Sequence, residues 1–154
     1  MQSWKILQPI CIQRFSRELG SRIGTTMKVL WDTHVLLWMF SADARLSKIA
    51  RAAIANEISQ NQVSIISLWE ISIKLTLGKL DLDGLTVLDF AKRMRDEGIE
   101  LLMVEPSDCL EVQSLPLIHR DPFDRMLAAQ ASSRKLALIS ADSIFDQYGL
   151  TRVW

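Results

Sequence analysis

Five carboxylates stand out by position: Asp32, Glu70, Asp121, Asp124 and Asp142 all fall at or beside the ends of apolar segments. Asp32 closes the run Lys-Val-Leu-Trp that reads as a first strand, and Asp142 lies two residues past the run ending at Ser140. Open α/β sheets gather their ligands at the carboxyl ends of parallel strands, so both acids face one crevice. Glu70 falls in the first turn of a helix that follows the second strand, which brings it to the same end of the sheet. Asp121 and Asp124 open the helix that precedes the last long strand, and their i, i+3 spacing puts both on one face. Like unit charges about 4 Å apart repel by roughly 4 kcal/mol at a partly screened site, so such a cluster calls for a cation. Hard oxygen donors with few histidines favour Mg²⁺ or Mn²⁺, ions that act on phosphates through direct charge stabilisation.

Each acid also has a structural reading. Asp121-Pro122-Phe123-Asp124 is a well-formed helix start, with Asp121 as N-cap and Pro122 at the first helical position. Asp142 can cap a short helix over Ser143 to Gln147, and Glu70 can pair with Lys74 at i+4. Thr33, next to Asp32, can orient that carboxylate through its hydroxyl. His119 and Arg120 precede Asp121, where they can contact a phosphate. His34 reads as a structural histidine. Trp31, Trp38 and Trp69 sit among aliphatics at strand or helix spacing and read as core rather than as a base-stacking platform. Lys92, Arg93 and Arg95 read as the solvated face of a helix.

The elements that must position these residues alternate short strands with amphipathic helices, the pattern of βαβ units and a mostly parallel sheet; the expected class is α/β. Strands are expected at Met27 to Trp31, Gln62 to Ile66, Ile99 to Val104 and Leu136 to Ser140, with a short edge strand at Thr151 to Trp154. Helices are expected at Thr33 to Phe40, Ser47 to Glu57, from a Ser67 cap to about Leu77, and at Val87 to Glu97, Pro106 to Leu115 and Pro122 to Arg134. Lys79 to Gly84 reads as a polar turn.

The chain has 154 residues, 49% of them hydrophobic and 23% charged, enough for one core-bearing domain. Its 18 basic and 18 acidic residues cancel, which excludes a broad positive surface as the basis of nucleic-acid binding. The balance is uneven along the chain. Residues 1–26 carry Lys5, Arg14, Arg17 and Arg22 against Glu18, whereas the rest is net acidic. That stretch lacks a strand-length apolar run and reads as an extension to a domain spanning 27–154, either a basic arm or sequence upstream of a true start at Met27. Cys11 and Cys109 form no disulfide or zinc framework, which points to a reducing, cytoplasmic setting. No apolar run approaches the roughly 20 residues that span a bilayer, so no membrane partner is expected. Neither GxGxxG nor a P-loop is present, and the first strand ends in Asp32-Thr33-His34 where a phosphatase of the dehalogenase type has Asp-x-Asp, which argues against nucleotide-binding and phosphatase readings.

Four ordered segments resemble the PIN domain family: Leu-Trp-Asp-Thr-His-Val-Leu-Leu-Trp at 30–38, Ser-Leu-Trp-Glu-Ile-Ser-Ile-Lys at 67–74, His-Arg-Asp-Pro-Phe-Asp-Arg-Met-Leu-Ala-Ala-Gln-Ala at 119–131, and Ser-Ala-Asp-Ser-Ile-Phe at 140–145. Within that superfamily the chain is most similar to VapC-type toxins of toxin–antitoxin pairs. The resemblance covers 27–154. It implies a three-layer α/β/α fold, Mg²⁺ or Mn²⁺ held by Asp32, Glu70, Asp124 and Asp142, with Asp121 as a less central acid, and hydrolysis of RNA. It also implies a cognate antitoxin and a homodimer. Ser140 stands where Thr is usual and keeps the hydroxyl. The alternative is a PIN-like module that binds RNA or protein without cutting.

Overall fold

A computed structural model describes residues 2–3 and 27–154. The expectations for residues 1–26 otherwise lie outside the described residues. Five parallel strands form the central sheet in the order β5-β3-β2-β6-β7: β2 (Lys28–Trp31), β3 (Gln60–Ser64), β5 (Glu100–Leu102), β6 (Ala137–Ile139) and β7 (Arg152–Val153). A separate two-residue pairing joins β1 (Gln2–Ser3) to β4 (Leu80–Asp81), also in parallel. β4 lies inside the stretch expected to be a polar turn.

The helices are α1 (Thr33–Phe40), α2 (Lys48–Ala55), α3 (Ile65–Thr76), α4 (Val87–Asp96), α5 (Pro106–Ser114) and α6 (Pro122–Arg134). A 3₁₀ helix follows at Ser143–Tyr148. Alternation along the strands explains the layering, because successive side chains leave a sheet on opposite faces. Val29 and Trp31 of β2 and Ala137 and Ile139 of β6 enter one core with the buried faces of α1, α2, α3 and α4. Leu30 and Leu138 enter a second core with Leu127, Ala128 and Ala131 of α6 and Phe145. Burial on both faces is what these near-continuous apolar strands require, and it produces the α/β/α sandwich that was expected.

The chain runs from β2 outward through β3 to β5, then crosses back to lay β6 on the other side of β2. That reversal makes the carboxyl ends of β2 and β6 the switch point of the sheet, where a crevice opens. Asp32 and Ser140 follow directly from these strands, and the Asp32 amide donates to the Ile139 carbonyl at 3.0 Å.

Two expectations need correction. The apolar run Val63-Ser64-Ile65-Ile66 is not one strand. The Ser64 hydroxyl accepts from the Ile66 amide at 3.2 Å, so Ser64 rather than Ser67 caps α3 and the helix begins at Ile65. Glu70 consequently sits in the second turn of α3, not the first. Trp31 and Trp38 are buried as expected, but Trp69 is 58% exposed: its side of α3 carries no covering layer.

Candidate functional site

Asp32 is the most enclosed of the site carboxylates, only 5% exposed. It is the N-cap of α1, its Oδ1 accepting from the His34 amide at 3.2 Å, while its Oδ2 accepts from the Ser140 hydroxyl at 2.6 Å. The His34 ring nitrogen Nδ1 stands 3.8 Å from Oδ1. Burial pushes the Asp32 carboxyl upward, but the contacts from His34 and Ser140 outweigh it and hold the group below its ordinary pKa. In return the Asp32 carboxylate raises the imidazole of His34 above its ordinary value, against the opposing effect of burial.

Thr33 was expected to orient Asp32. Its hydroxyl instead donates to Ser67 Oγ at 3.0 Å, tying α1 to α3, and Ser140 supplies the hydroxyl that engages Asp32. Ser140 also accepts from the Asp142 amide at 3.1 Å. One buried hydroxyl thus links the acid at the end of β2 to the backbone of the acid beyond β6. Asp142 in turn caps the 3₁₀ helix, its Oδ1 accepting from the Ile144 amide at 2.9 Å.

α6 delivers the next pair. Asp121 is its N-cap, accepting from the Phe123 amide at 2.8 Å, with Pro122 at the first helical position. Asp124, one turn in, is half-buried and strongly displaced. Burial, then the negative charges of Asp32, Asp121 and Glu70 in that order, push its carboxyl from 3.8 up to about 7. These four acids therefore share one electrostatic field although they come from three places in the chain, the β2–α1 junction, α3 and the start of α6.

His119, considered in the sequence as a phosphate contact, lies among the acids. Its Nδ1 accepts from the Asp121 amide at 2.9 Å, so the ring proton is on Nε2. Nε2 stands 3.4 Å from Asp124 Oδ2 and 4.0 Å from Asp142 Oδ2, bridging the two carboxylates. The Tyr148 hydroxyl accepts from the His119 amide at 2.9 Å and anchors the loop. Arg120 is exposed beside it.

Glu70 reaches the same field from α3, but the Lys74 ammonium is 2.6 Å from its Oε1, so the pairing read from the i, i+4 spacing is made. Among the described residues no three His, Cys, Asp or Glu side chains close into a ready-made metal-ligand group. The chemistry of the donors nevertheless fits a hard divalent cation. Their oxygens are carboxylate, they come from different elements, and a dication would offset both the burial and the mutual repulsion that lift Asp124. Mg²⁺ in particular retains several waters and needs only one or two direct carboxylates.

Two residues that the sequence reading passed over belong here. His34 was taken as structural, yet it is half-exposed beside Asp32. Ser140 was noted only for keeping a hydroxyl, and the strand order that aims it at Asp32 is a long-range feature.

The sheet order and the acids at its switch point can be compared with known proteins. The profile of the PIN domain family matches residues 29–150. The chain belongs to the PIN domain family. Comparison with curated protein sequences found no match. Among solved structures, that of VapBC2 from Rickettsia felis bound to a DNA fragment from its promoter contains a chain with the same fold. It superimposes with a TM-score of 0.59 at 11% sequence identity, covering 83% of this PIN domain protein and 100% of the other chain. The family match spans all four acids of the cluster and leaves residues 1–28 outside it.

Proposed function

We propose that this PIN domain protein is a metal-dependent endoribonuclease, the toxin of a VapC-type toxin–antitoxin pair, that hydrolyses RNA phosphodiester bonds in the cytoplasm. The observation that carries the reading is the convergence of Asp32, Glu70, Asp121 and Asp124 on one crevice, where burial first and the three neighbouring charges after it lift Asp124 to about 7. Family membership and the complex found for the Rickettsia felis structure support the coarser part, a PIN-domain protein with an antitoxin partner. A homodimer is part of the same proposal, as is the division into an extension over 1–26 and a PIN domain over 27–154.

In this reading Asp32, Glu70, Asp124 and Asp142 would hold Mg²⁺ or Mn²⁺. When bound, the ion supplies a water of lowered pKa and positive charge against the scissile phosphate. The chain's own groups do the remainder. Ser140 and the His34 amide keep the Asp32 carboxylate ionised and fixed in rotamer. His119 places its Nε2 between Asp124 and Asp142, 3.4 and 4.0 Å from one oxygen of each, and so lines the space between them. Lys74 must release Glu70, in whole or in part, for that carboxylate to serve. Arg120, exposed at the rim, is available to a phosphate, and Asp121 and Thr33 act as supports by capping α6 and by tying α1 to α3. Phosphodiester hydrolysis by a metal-activated water would leave a 5′-phosphate and a 3′-hydroxyl.

The test is incubation of the purified full chain, free of any partner, with total cellular RNA in Mg²⁺ or Mn²⁺, with EDTA and Asp124→Asn as controls. Discrete fragments with 5′-phosphates, lost in both controls, are expected. A folded protein that binds Mn²⁺ but cuts no RNA pool would replace this reading by that of a non-catalytic RNA- or protein-binding PIN module.

A further inference from the structure

Two aromatic rings frame the acidic cluster. Trp69 immediately precedes Glu70 on α3, and Phe123 immediately precedes Asp124 on α6. Their ring centroids are 5.3 Å apart with an interplanar angle of 74°, an edge-to-face pair that joins the two helices. Neighbouring helix positions diverge by about 100° at 3.6 residues per turn. A ring next to an inward carboxylate therefore stands at the rim of the crevice instead of inside it. Phe123 is half-buried, but Trp69 leaves 58% of its surface to solvent. Leaving a side chain of that size in water forgoes a large burial gain, which marks it as a surface built to be covered.

We propose that Trp69, backed by Phe123, is a stacking platform for an unpaired nucleobase of single-stranded RNA, next to the phosphate presented to the acids. The proposal rests on the nuclease reading and adds what that reading lacks, a recognition element for the base. An acidic cluster repels the phosphate backbone, and the chain has no net positive charge to offset that. Affinity must then come in part from contacts that do not depend on charge. Base–aromatic stacking is such a contact, and it is open only to bases that are not already stacked in a duplex. The edge of Phe123 fixes the indole in place, so little side-chain entropy remains to be lost on binding. Leu77, the exposed C-cap residue of α3, lies two turns on from Trp69 and is aliphatic; it is 59% exposed. It offers no stacking surface, which makes it the internal control.

The experiment measures fluorescence anisotropy of a labelled short single-stranded oligoribonucleotide, and of the same oligonucleotide with abasic ribose positions. Cleavage-blocked Asp124→Asn protein is compared with Asp124→Asn carrying Trp69→Ala, Trp69→Phe or Leu77→Ala. Trp69→Ala is expected to weaken binding of the base-bearing oligonucleotide about ten-fold and to leave the abasic one unchanged. Trp69→Phe should retain most of the affinity, and Leu77→Ala all of it. Unfolding midpoints within a few degrees of one another exclude a folding artefact, as the exposure of both residues leads one to expect. Loss of affinity equal for both oligonucleotides, or no loss, overturns the platform. So does failure of the unsubstituted surface to bind single-stranded RNA. A change of oligomeric state or of partner co-purification in both Trp69→Ala and Leu77→Ala, with RNA affinity unchanged, overturns it in favour of a protein interface along α3. Base-dependent binding through Trp69 without any cleavage by the native chain would sink the nuclease reading and leave the platform standing.

Discussion

The Ser140 hydroxyl lies 2.6 Å from Asp32 Oδ2, joining residues 108 positions apart at the ends of two adjacent parallel strands. Both residues are buried, and the same hydroxyl accepts the Asp142 amide. The contact is a short charge-assisted hydrogen bond, a class about twice as strong as a neutral one. It helps the Asp32 carboxylate remain ionised in a place where burial alone would protonate it.

Ser140→Ala should therefore destabilise the protein by about 1–3 kcal/mol, the usual cost of leaving buried polar partners unsatisfied. Thermal unfolding at neutral pH would show the loss, and Ser140→Thr should recover most of it. Because the Asp32 pKa is depressed in the folded state, its contribution is present above the unfolded value of 3.8 and fades as pH falls through the folded one. The penalty should shrink accordingly in acid. An unchanged midpoint at pH 7 would show that Asp32 does not depend on this hydroxyl.

Asp124 has the opposite sign. Its folded pKa of about 7 lies above the ordinary 3.8, so between those values the folded state holds a proton that the unfolded state has released. Stability of the metal-free protein should fall as pH rises through that window, by up to a few kcal/mol at about 1.4 kcal/mol per pKa unit. Asp32 stays ionised throughout and adds no slope there, whereas the raised His34 imidazole adds one of the same sign chiefly above its ordinary 6.5. Urea unfolding in EDTA at pH 5 and pH 6.5 therefore measures the Asp124 effect. Asp124→Asn should flatten it, and a slope in that interval that survives the substitution would place its origin elsewhere.

Lys74 occupies Glu70 at 2.6 Å with both side chains largely shielded. Lys74→Met frees that carboxylate and removes one positive charge from the cluster. Mn²⁺ affinity, followed by calorimetry, should rise about five-fold, equivalent to roughly 1 kcal/mol for one ion pair. Weaker binding would instead mean that Lys74 holds Glu70 in the orientation a cation needs.

Lys135 ends α6 in the left-handed region at φ 53°, ψ 45°, a conformation that costs a residue with a Cβ about 1 kcal/mol. Its amide donates to the carbonyl of Ser132, and the following Leu136 amide to that of Ala131, an arrangement glycine makes without strain. Lys135→Gly should stabilise the fold by about 0.5–1 kcal/mol, raising the unfolding midpoint by roughly 1–4 °C. A lower midpoint would mean that the extra backbone entropy glycine gives the unfolded chain outweighs the strain relieved in the folded one.

Local signals carried much of the fold. α1 and α6 lie where their caps and Pro122 put them, and the acids at strand ends were visible because a charge that terminates an apolar run has few other reasons to be there. The boundary between β3 and α3 was misread for a physical reason. Ser64 and Ser67 both precede apolar residues and are equally good caps, and only the pairing of Ser64 with Leu102 in the sheet selects between them. Trp69 was misplaced because periodicity reports which residues share a helix face, not whether another layer covers it.

What the sequence by itself determined is the set of carboxylates and the alternation of strands and helices that carries them to one end of a parallel sheet. Those follow from residue type and from spacings of a few residues. Only the tertiary structure decided which hydroxyl meets Asp32, that His119 spans Asp124 and Asp142, and that Trp69 faces water. Each depends on the order in which strands pair and on which helix faces are covered. Such relations join residues tens of positions apart, and no local spacing encodes them.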